Sequence, residues 1–251
     1  MEIETVAGQQ QARTNGGPGL YRGTESRFLA LLPERELGRL IAMCQRIELA
    51  PRQILHHRNL PVEYVYFVEN GLVSVMAKVG DNDWVEAWLV GSEGTTSVPV
   101  LLGDSQTPLR RVVQIGGTAL RIPTSAFHHV LDQSEPVRQL LFKYTQLVLL
   151  QSSQFGACNA QHSVRERLAR WLLVARDGLE SALIAMPHQA LARLIGVRRA
   201  TISECLNGFE ARGAIRTSRR LVEIADSAKL EALSCDCYRI FKRERRRLLG
   251  L

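Results

Sequence analysis

Apolar residues change their spacing twice along this chain. From Phe28 to Leu40 they recur at helical intervals (Phe28, Leu31, Leu32, Leu37, Leu40, with Ile41 beside them), and Pro33-Glu34 opens a second short helix. From about Ile47 the period shortens to two. Tyr64-Val65-Tyr66-Phe67-Val68 and Leu72-Val73-Ser74-Val75-Met76 are β-rich runs joined through Glu69-Asn70-Gly71, and Asn-Gly between two such runs predicts a hairpin, because its turn needs φ > 0. Gly80-Asp81-Asn82-Asp83 marks a second turn. Trp84 to Val90, Arg111 to Ile115 and Thr118 to Ile122 supply further strands, and short strands at regular spacing predict a sandwich or barrel.

After Pro123 the pattern is helical for most of the distance to Met186. Pro136 to Phe155 carries Leu140, Leu141, Tyr144, Leu147, Val148, Leu150 and Gln151, with only Arg138 and Lys143 charged, which is more apolar surface than one exposed helix face can use. Such a helix either folds back onto its own domain or pairs with the same helix of a second copy. Residues 162–174 form another amphipathic helix through Val164, Leu168, Trp171 and Leu172, and Asp177-Gly178 is expected to end it.

Residues 188–207 carry the most specific pattern. Two short helices crossing steeply need a small residue at their contact, a Gly with φ > 0 in the turn, and apolar residues on the facing sides. Ala192, Gly196 and the set Leu191, Ile195, Val197, Ile202 and Cys205 meet these needs at the offsets of a helix-turn-helix. Two short β runs follow within residues 214–226, around a polar, basic turn. They form a wing whose Arg216, Arg219 and Arg220 would lie along a phosphate backbone.

Charge strengthens that reading. Residues 1–160 hold 14 Lys and Arg against 15 Asp and Glu, whereas residues 161–251 hold 18 against 10, so the net +7 of the chain comes entirely from its C-terminal third. A polyanion facing that third accounts for the asymmetry, as would, on charge alone, a basic surface kept for solubility. The 251 residues suffice for two ordinary domains, and 45% hydrophobic with 23% charged residues is ordinary for a globular protein. Only the Gln-, Gly- and Thr-rich start reads as loose.

No apolar run is long enough to cross a bilayer, and the acidic start Met1-Glu2-Ile3-Glu4 is unlike a signal peptide, so the chain is expected to stay in the cytoplasm with no membrane partner. Cys44, Cys158, Cys205, Cys235 and Cys237 match neither a disulfide framework nor a paired CxxC zinc site, so no metal is assigned. Cys235-Asp236-Cys237 offers two thiols, and two ligands do not complete a tetrahedral site. The pairs His56-His57 and His128-His129 lack a Cys or carboxylate at ligand spacing. With no nucleophile beside an arranged base and no phosphate-cradling Gly loop, the chain does not read as an enzyme.

The stretches LLPERELGRL from 31, YVYFVENGLVSV from 64, VRERLARWLL from 164 and LARLIGVRRATISECLNGFEARGAIR from 191 together resemble the Crp/Fnr family of bacterial regulators, from about Leu29 to Tyr238. The resemblance implies an α+β chain: a cyclic-nucleotide-binding-like double-stranded β-barrel (a jelly-roll), a long dimerisation helix and a C-terminal winged helix-turn-helix. The corresponding divisions are an effector-type barrel over 25–135, the dimerisation helix over 136–160 and the winged helix-turn-helix over 161–240, after a flexible N-terminus over 1–24 and before a basic tail over 241–251, which lies beyond the resemblance and reads either as a phosphate-contacting extension or as a solvated flexible end. The resemblance also implies a homodimer reading a near-palindromic operator in double-stranded DNA, with RNA polymerase as a further partner. Leu140, Tyr144, Leu147, Val148 and Gln151 become the expected dimer contacts.

Departures from the family pattern shape the rest. Cyclic-nucleotide-binding relatives use a Gly-Glu and a later Arg-Ser to hold the ribose and the cyclic phosphate. Here Gly91-Ser92-Glu93-Gly94 is followed by Thr95-Thr96-Ser97, and the nearest arginines, Arg110 and Arg111, precede Val112. Ser152 and Ser153 stand where cAMP-responsive relatives carry two hydroxyls. Glu93, Gly94, Thr96, Arg110, Arg111, Ser152 and Ser153 are therefore the candidate effector pocket. Its broken signature argues for an unidentified small-molecule effector, or none, over a cyclic nucleotide. A lone Cys44 cannot supply an N-terminal iron–sulfur cluster.

At the start of the recognition helix, Arg199 keeps a bidentate donor for guanine and Thr201 a hydroxyl for phosphate, while Ala200 and Glu204 remove or reverse pairs made by relatives. Arg198 and Ser203 complete the expected contact set, and the operator should be unusual. The rival readings are a cAMP-responsive regulator and a ligand- or redox-sensing module whose winged domain makes protein contacts.

Overall fold

The computed structural model describes residues 23–81 and 83–251; Asn82 and nearly all of the leader expected over 1–24 lie outside the described residues. A 3-10 turn at Leu29–Leu31 leads to α1 (Glu34–Ala42) and then to β1 (Gln45–Leu49), β2 (Ile54–His56), β3 (Tyr64–Val68), β4 (Leu72–Lys78) and β5 (Trp84–Val90). After α2 (Val98–Leu101) come β6 (Arg110–Ile115), β7 (Gly117–Pro123), α3 (Thr124–Gln133), α4 (Glu135–Gln161) and α5 (Val164–Leu179). The C-terminal part runs β8 (Leu183–Ile184), α6 (His188–Ile195), α7 (Arg199–Glu210), β9 (Ile215–Ser218), β10 (Leu221–Ile224), α8 (Ser227–Ala232) and α9 (Cys237–Leu249).

The N-terminal strands form two antiparallel sheets, ordered β1-β7-β3 and β2-β6-β4-β5. Leu49, Val68 and Ala119 of the first sheet pack with Val73, Val75, Val90 and Val113 of the second, so each strand turns one row of side chains into a common interior. The predicted Asn70-Gly71 hairpin does not form. β3 pairs with β7 while β4 pairs with β5 and β6, so this turn carries the chain from one sheet to the other.

Gly71 adopts φ +90°, and a Cβ there would lie 2.5 Å from the Ile115 carbonyl oxygen. The opposing corner is equally tight, since a Cβ on Gly117 would lie 2.3 Å from the Asn70 carbonyl oxygen. Two sheet-switching corners thus stack backbone to backbone. The positive-φ tolerance that suggested a hairpin serves closure of the double-sheet body instead.

Helix α4 starts at Ser134, whose hydroxyl accepts from the Val137 N–H, with Pro136 in the first turn where a missing N–H costs nothing. One face is buried against its own protomer through Val137, Leu141, Tyr144, Leu147, Val148, Gln151 and Phe155. Helix α5 opens with a full capping box between Ser163 and Glu166. It runs through Asp177-Gly178 rather than ending there, and stops at Glu180 in the left-handed conformation. Gly178 serves packing: a Cβ on Gly91 would lie 2.5 Å from its Cα, and Ser92 donates to its carbonyl through both N–H and hydroxyl. The barrel-side loop thus sits directly on α5.

The basic run near the C-terminus is not a free tail. It lies on α9, which packs along α4 and α5 through Tyr238, Phe241, Arg245 and Leu249, while Lys242, Arg243, Arg246 and Arg247 face outward. Helical spacing within the charged run, Phe241, Arg245 and Leu249 at intervals of four, is the signal that separates this helix from a solvated end.

Candidate nucleic-acid interface

Three helices and a small sheet build the C-terminal unit. Leu168, Leu172, Leu191, Ala192, Ile195, Ile202, Leu206 and Phe209 bury the facing sides of α5, α6 and α7, and Ile184, Ile215, Val222 and Ile224 add the sheet β8-β10-β9. Gly196 closes α6 at φ +76°, where its N–H and that of Val197 both return to the Ala192 carbonyl. This turn sets the angle at which α7 leaves the domain.

The first turn of α7 is open to solvent. Arg198, Arg199, Ala200 and Glu204 are exposed, and Thr201 and Ser203 are half-buried. Arg198 caps the helix with no side-chain hydrogen bond, so the free N–H groups and positive end of the dipole point outward beside two guanidinium groups. That combination suits a phosphate or a base edge. Ser203 is turned inward, its hydroxyl 2.9 Å from His188 Nδ1 on α6, where it fixes the two helices rather than facing a ligand.

The wing is a hairpin in which Leu221 to Ile224 pair with Ser218 to Ile215, and Arg219 and Arg220 form its exposed tip. Arg216 lies opposite Glu223 at 3.4 Å, so part of its charge is already matched. Glu210, at the end of α7, accepts from the Thr217 N–H at 2.8 Å and its hydroxyl at 2.9 Å, which ties the wing to the recognition helix. His188 and Glu210 had no individual signal in the sequence. Their roles depend on a helix pair and a strand meeting in space.

Most of the residues expected to hold an effector are engaged in contacts of their own. Glu93 accepts from the Gly91 N–H at 3.2 Å and pairs with Arg27 at 3.5 Å, facing the α5 contact. Thr96 accepts from the Tyr66 N–H and is buried. Arg110 stacks on Trp84 at 3.8 Å. Arg111 is 1% exposed and donates to the Thr107 hydroxyl and the Leu109 carbonyl, and burial pulls its pKa down to about 10. A Cβ on Gly94 would meet the Tyr144 hydroxyl at 2.6 Å, so α4 already fills that side. Ser152 is half-buried, and Ser153 is exposed with its hydroxyl returned to the Leu149 carbonyl. A cleft of about 300 Å³ between Arg27, Arg176, Asp177, Glu180 and Arg245 contains none of the seven.

The expected dimer residues require a similar correction. Tyr144, Leu147, Val148 and Gln151 are buried within their own protomer, so these four are not open to a second copy, whereas Leu140 is half-buried and stays a candidate. The face left exposed carries Phe142, Gln146, Leu149, Ser153, Gly156 and Ala160. The periodicity offers folding back or pairing as alternatives and does not tell which residues face the barrel.

Two further groups gather where the domains meet. Glu86 on β5 accepts from Trp171 Nε1 at 2.7 Å and from the Ser74 hydroxyl, and burial raises its pKa to about 7 despite both bonds and the nearby Arg170. Cys158 and His162 at the end of α4 stand beside Cys235 and Cys237, with all four ligand atoms within 4.8 Å of one another. The two thiols set aside in the sequence are therefore half of a set of four, and folding supplies the rest.

Residues 166–233 match the family described as the Crp-like helix-turn-helix domain. No curated protein matches the chain as a relative. Among solved structures, FixK2 from Bradyrhizobium japonicum is 16% identical with a TM-score of 0.66, the likeness covering 76% of this chain and 98% of that one. A putative transcriptional regulator of the Crp/Fnr family from Eubacterium rectale is 16% identical with a TM-score of 0.62, covering 83% and 98%. The c-di-GMP-responsive global regulator CLP of Xanthomonas campestris is 18% identical with a TM-score of 0.60, covering 76% and 99%. No described helix is long and apolar enough to cross a membrane.

Proposed function

We propose that this chain, a Crp/Fnr-type DNA-binding transcription regulator with the Crp-like helix-turn-helix domain over residues 166–233, acts as a homodimer that reads a near-palindromic operator. The observation that carries the reading is the uncapped, solvent-exposed first turn of α7, with Arg198 and Arg199 beside it and the Arg219-Arg220 wing tip on the same unit. Arg199 addresses a guanine edge, Thr201 and Arg198 the phosphates, and the wing arginines the flanking backbone. Ala200 offers no hydrogen bond and Glu204 repels phosphate, so the preferred site differs from one read by Arg-Glu at the same place.

The dimer seam in this reading is the exposed stripe of α4. Phe142, Gln146, Leu149, Ser153, Gly156 and Ala160 follow one another at intervals of four and three, the alternation of a coiled-coil seam, and Phe142 and Leu149 are 46% and 64% exposed. Side chains shrink toward the C-terminal end, where two helices could approach closely just before the reading heads.

The sensory end is read as a barrel without a cyclic-nucleotide site. Nη1 of its buried Arg111 donates to the Thr107 hydroxyl and the Leu109 carbonyl while Nε has no partner, and Tyr144 packs against Gly94. Selection of binding sites from random duplex DNA with the full chain tests the reading. Enrichment of an inverted repeat with half-sites about one helical turn apart supports it. Retention of duplex with no enriched sequence, or of no duplex at low salt, overturns it.

A further inference from the structure

The four ligand atoms at the end of α4 meet the demands of a tetrahedral metal site. Cys158 and His162 are four residues apart, so they stand on one face of the last turns of α4. Cys235 and Cys237 flank Asp236 at the start of α9, which packs against the same face. Cys158 Sγ lies 3.4 Å from Cys235 Sγ, and Cys237 Sγ lies 3.6 Å from His162 Nδ1. Ligands at zinc–sulfur and zinc–nitrogen bond lengths on a tetrahedron are roughly 3.5–3.8 Å apart, so these separations match one shared ion. A multinuclear iron–sulfur cluster would need its thiolates farther apart than the 4.8 Å that encloses this set.

Polar and cationic groups face the sulfurs. All three sulfurs are buried, and Gln154, one turn before Cys158 on the same face, donates from Nε2 to Cys237 Sγ at 3.2 Å. Cys237 is the first residue of α9, where the helix dipole favours an anion. Arg170 is buried within electrostatic reach of both Cys158 and Glu86, with Asn159 and the face of Phe155 as its direct contacts. Three thiolates and a neutral imidazole around a divalent ion carry one net negative charge, which that guanidinium would balance.

We infer that Cys158, His162, Cys235 and Cys237 form a structural Zn²⁺ site that fastens α9 to the end of α4. Its position gives it a consequence. His162 caps α4 and Ser163 caps α5, so the site spans the joint between the long helix and the reading head. The ion would fix the last turns of α4, whose neighbouring face carries Ser153, Gly156 and Ala160. This consequence rests on the regulatory reading; the metal site does not.

The test uses the full chain purified under reducing conditions without chelator. One Zn²⁺ per chain by elemental analysis, replaceable by Co²⁺ with visible ligand-field bands and a thiolate-to-cobalt charge-transfer band, is the expected result. Cys158→Ser and Cys237→Ser should lose the metal, while Cys44→Ser and Cys205→Ser keep full stoichiometry. His162→Cys should retain one Co²⁺ with a stronger charge-transfer band, which separates ligation from a packing role. Chelation should lower the melting temperature and added Zn²⁺ restore it. Three freely titrating thiols here with no bound Zn²⁺ or Co²⁺, or a Cys158–Cys235 disulfide in the freshly isolated metal-free chain, would overturn the inference. DNA binding enters none of these readouts, so a failed operator search leaves the metal result intact.

Discussion

Replacing Glu86 by Gln should make the protein more stable at neutral and alkaline pH. Glu86 sits on β5 beneath the reading head, with Trp171 Nε1 and the Ser74 hydroxyl as donors, and burial raises its pKa from the ordinary 4.5 to about 7. A folded-state carboxyl pKa above its unfolded value means that the folded chain binds the extra proton between those two limits. Stability is therefore greatest below about pH 4.5 as far as this group is concerned, falls as pH rises toward 7, and stays lowered above it. Keeping the acid neutral over that interval corresponds to about 3 kcal/mol, an upper bound on what ionisation costs at pH 8.

Gln keeps a carbonyl oxygen for Trp171 and cannot ionise. Urea unfolding of the full chain at about pH 5 and pH 8 should show the two proteins similar at the lower pH and Glu86→Gln ahead by about 2–3 kcal/mol at the higher. Parallel pH profiles for the two proteins would refute the assignment of the buried proton to Glu86.

Three other predictions rest on separate parts of the molecule. Arg199→Ala should cost about 1–3 kcal/mol on the selected operator and little on random duplex, while Arg219→Ala should weaken both and shallow the salt dependence by about one unit, measured by fluorescence anisotropy across a salt series. Equal losses on both duplexes for both variants would reverse these roles. Leu149→Glu removes about 1–2 kcal/mol of apolar burial from each protomer at the proposed seam, so sedimentation equilibrium should show a dimer dissociation constant raised about a hundredfold, and an unchanged dimer would place the seam elsewhere. Gly117→Ala drives a Cβ within 2.3 Å of the Asn70 carbonyl oxygen and should lower stability by about 1–3 kcal/mol or more, read by thermal unfolding; a neutral substitution would mean the two corners do not meet.

The sequence alone determined the order of the parts and the chemistry of the DNA-facing end. Period two from Ile47, period 3.6 after Pro123, the Ala192–Gly196 spacing and the basic C-terminal third are local properties, and local steric and hydrophobic patterns are written in neighbouring residues. The structure has the corresponding sheet-rich body, the long helix and the helix-turn-helix. What only the tertiary structure decided are the pairings between segments far apart in the chain. Asn70-Gly71 is a sheet-switching corner and not a hairpin because Gly117 lies against it, a choice that the turn's own positive φ does not reveal.

The same distinction explains the two faces of α4. Tyr144 and Leu147 lie inside and Phe142 and Leu149 outside, a choice that requires knowing where the barrel and α9 dock. Cys158 and Cys235 are 77 residues apart in sequence, so no spacing rule could join them, yet their sulfurs lie 3.4 Å apart once α9 packs on α4. Short-range order follows from each segment's own period. Contacts between distant segments depend on which apolar faces find each other, and that is settled only when the whole core closes.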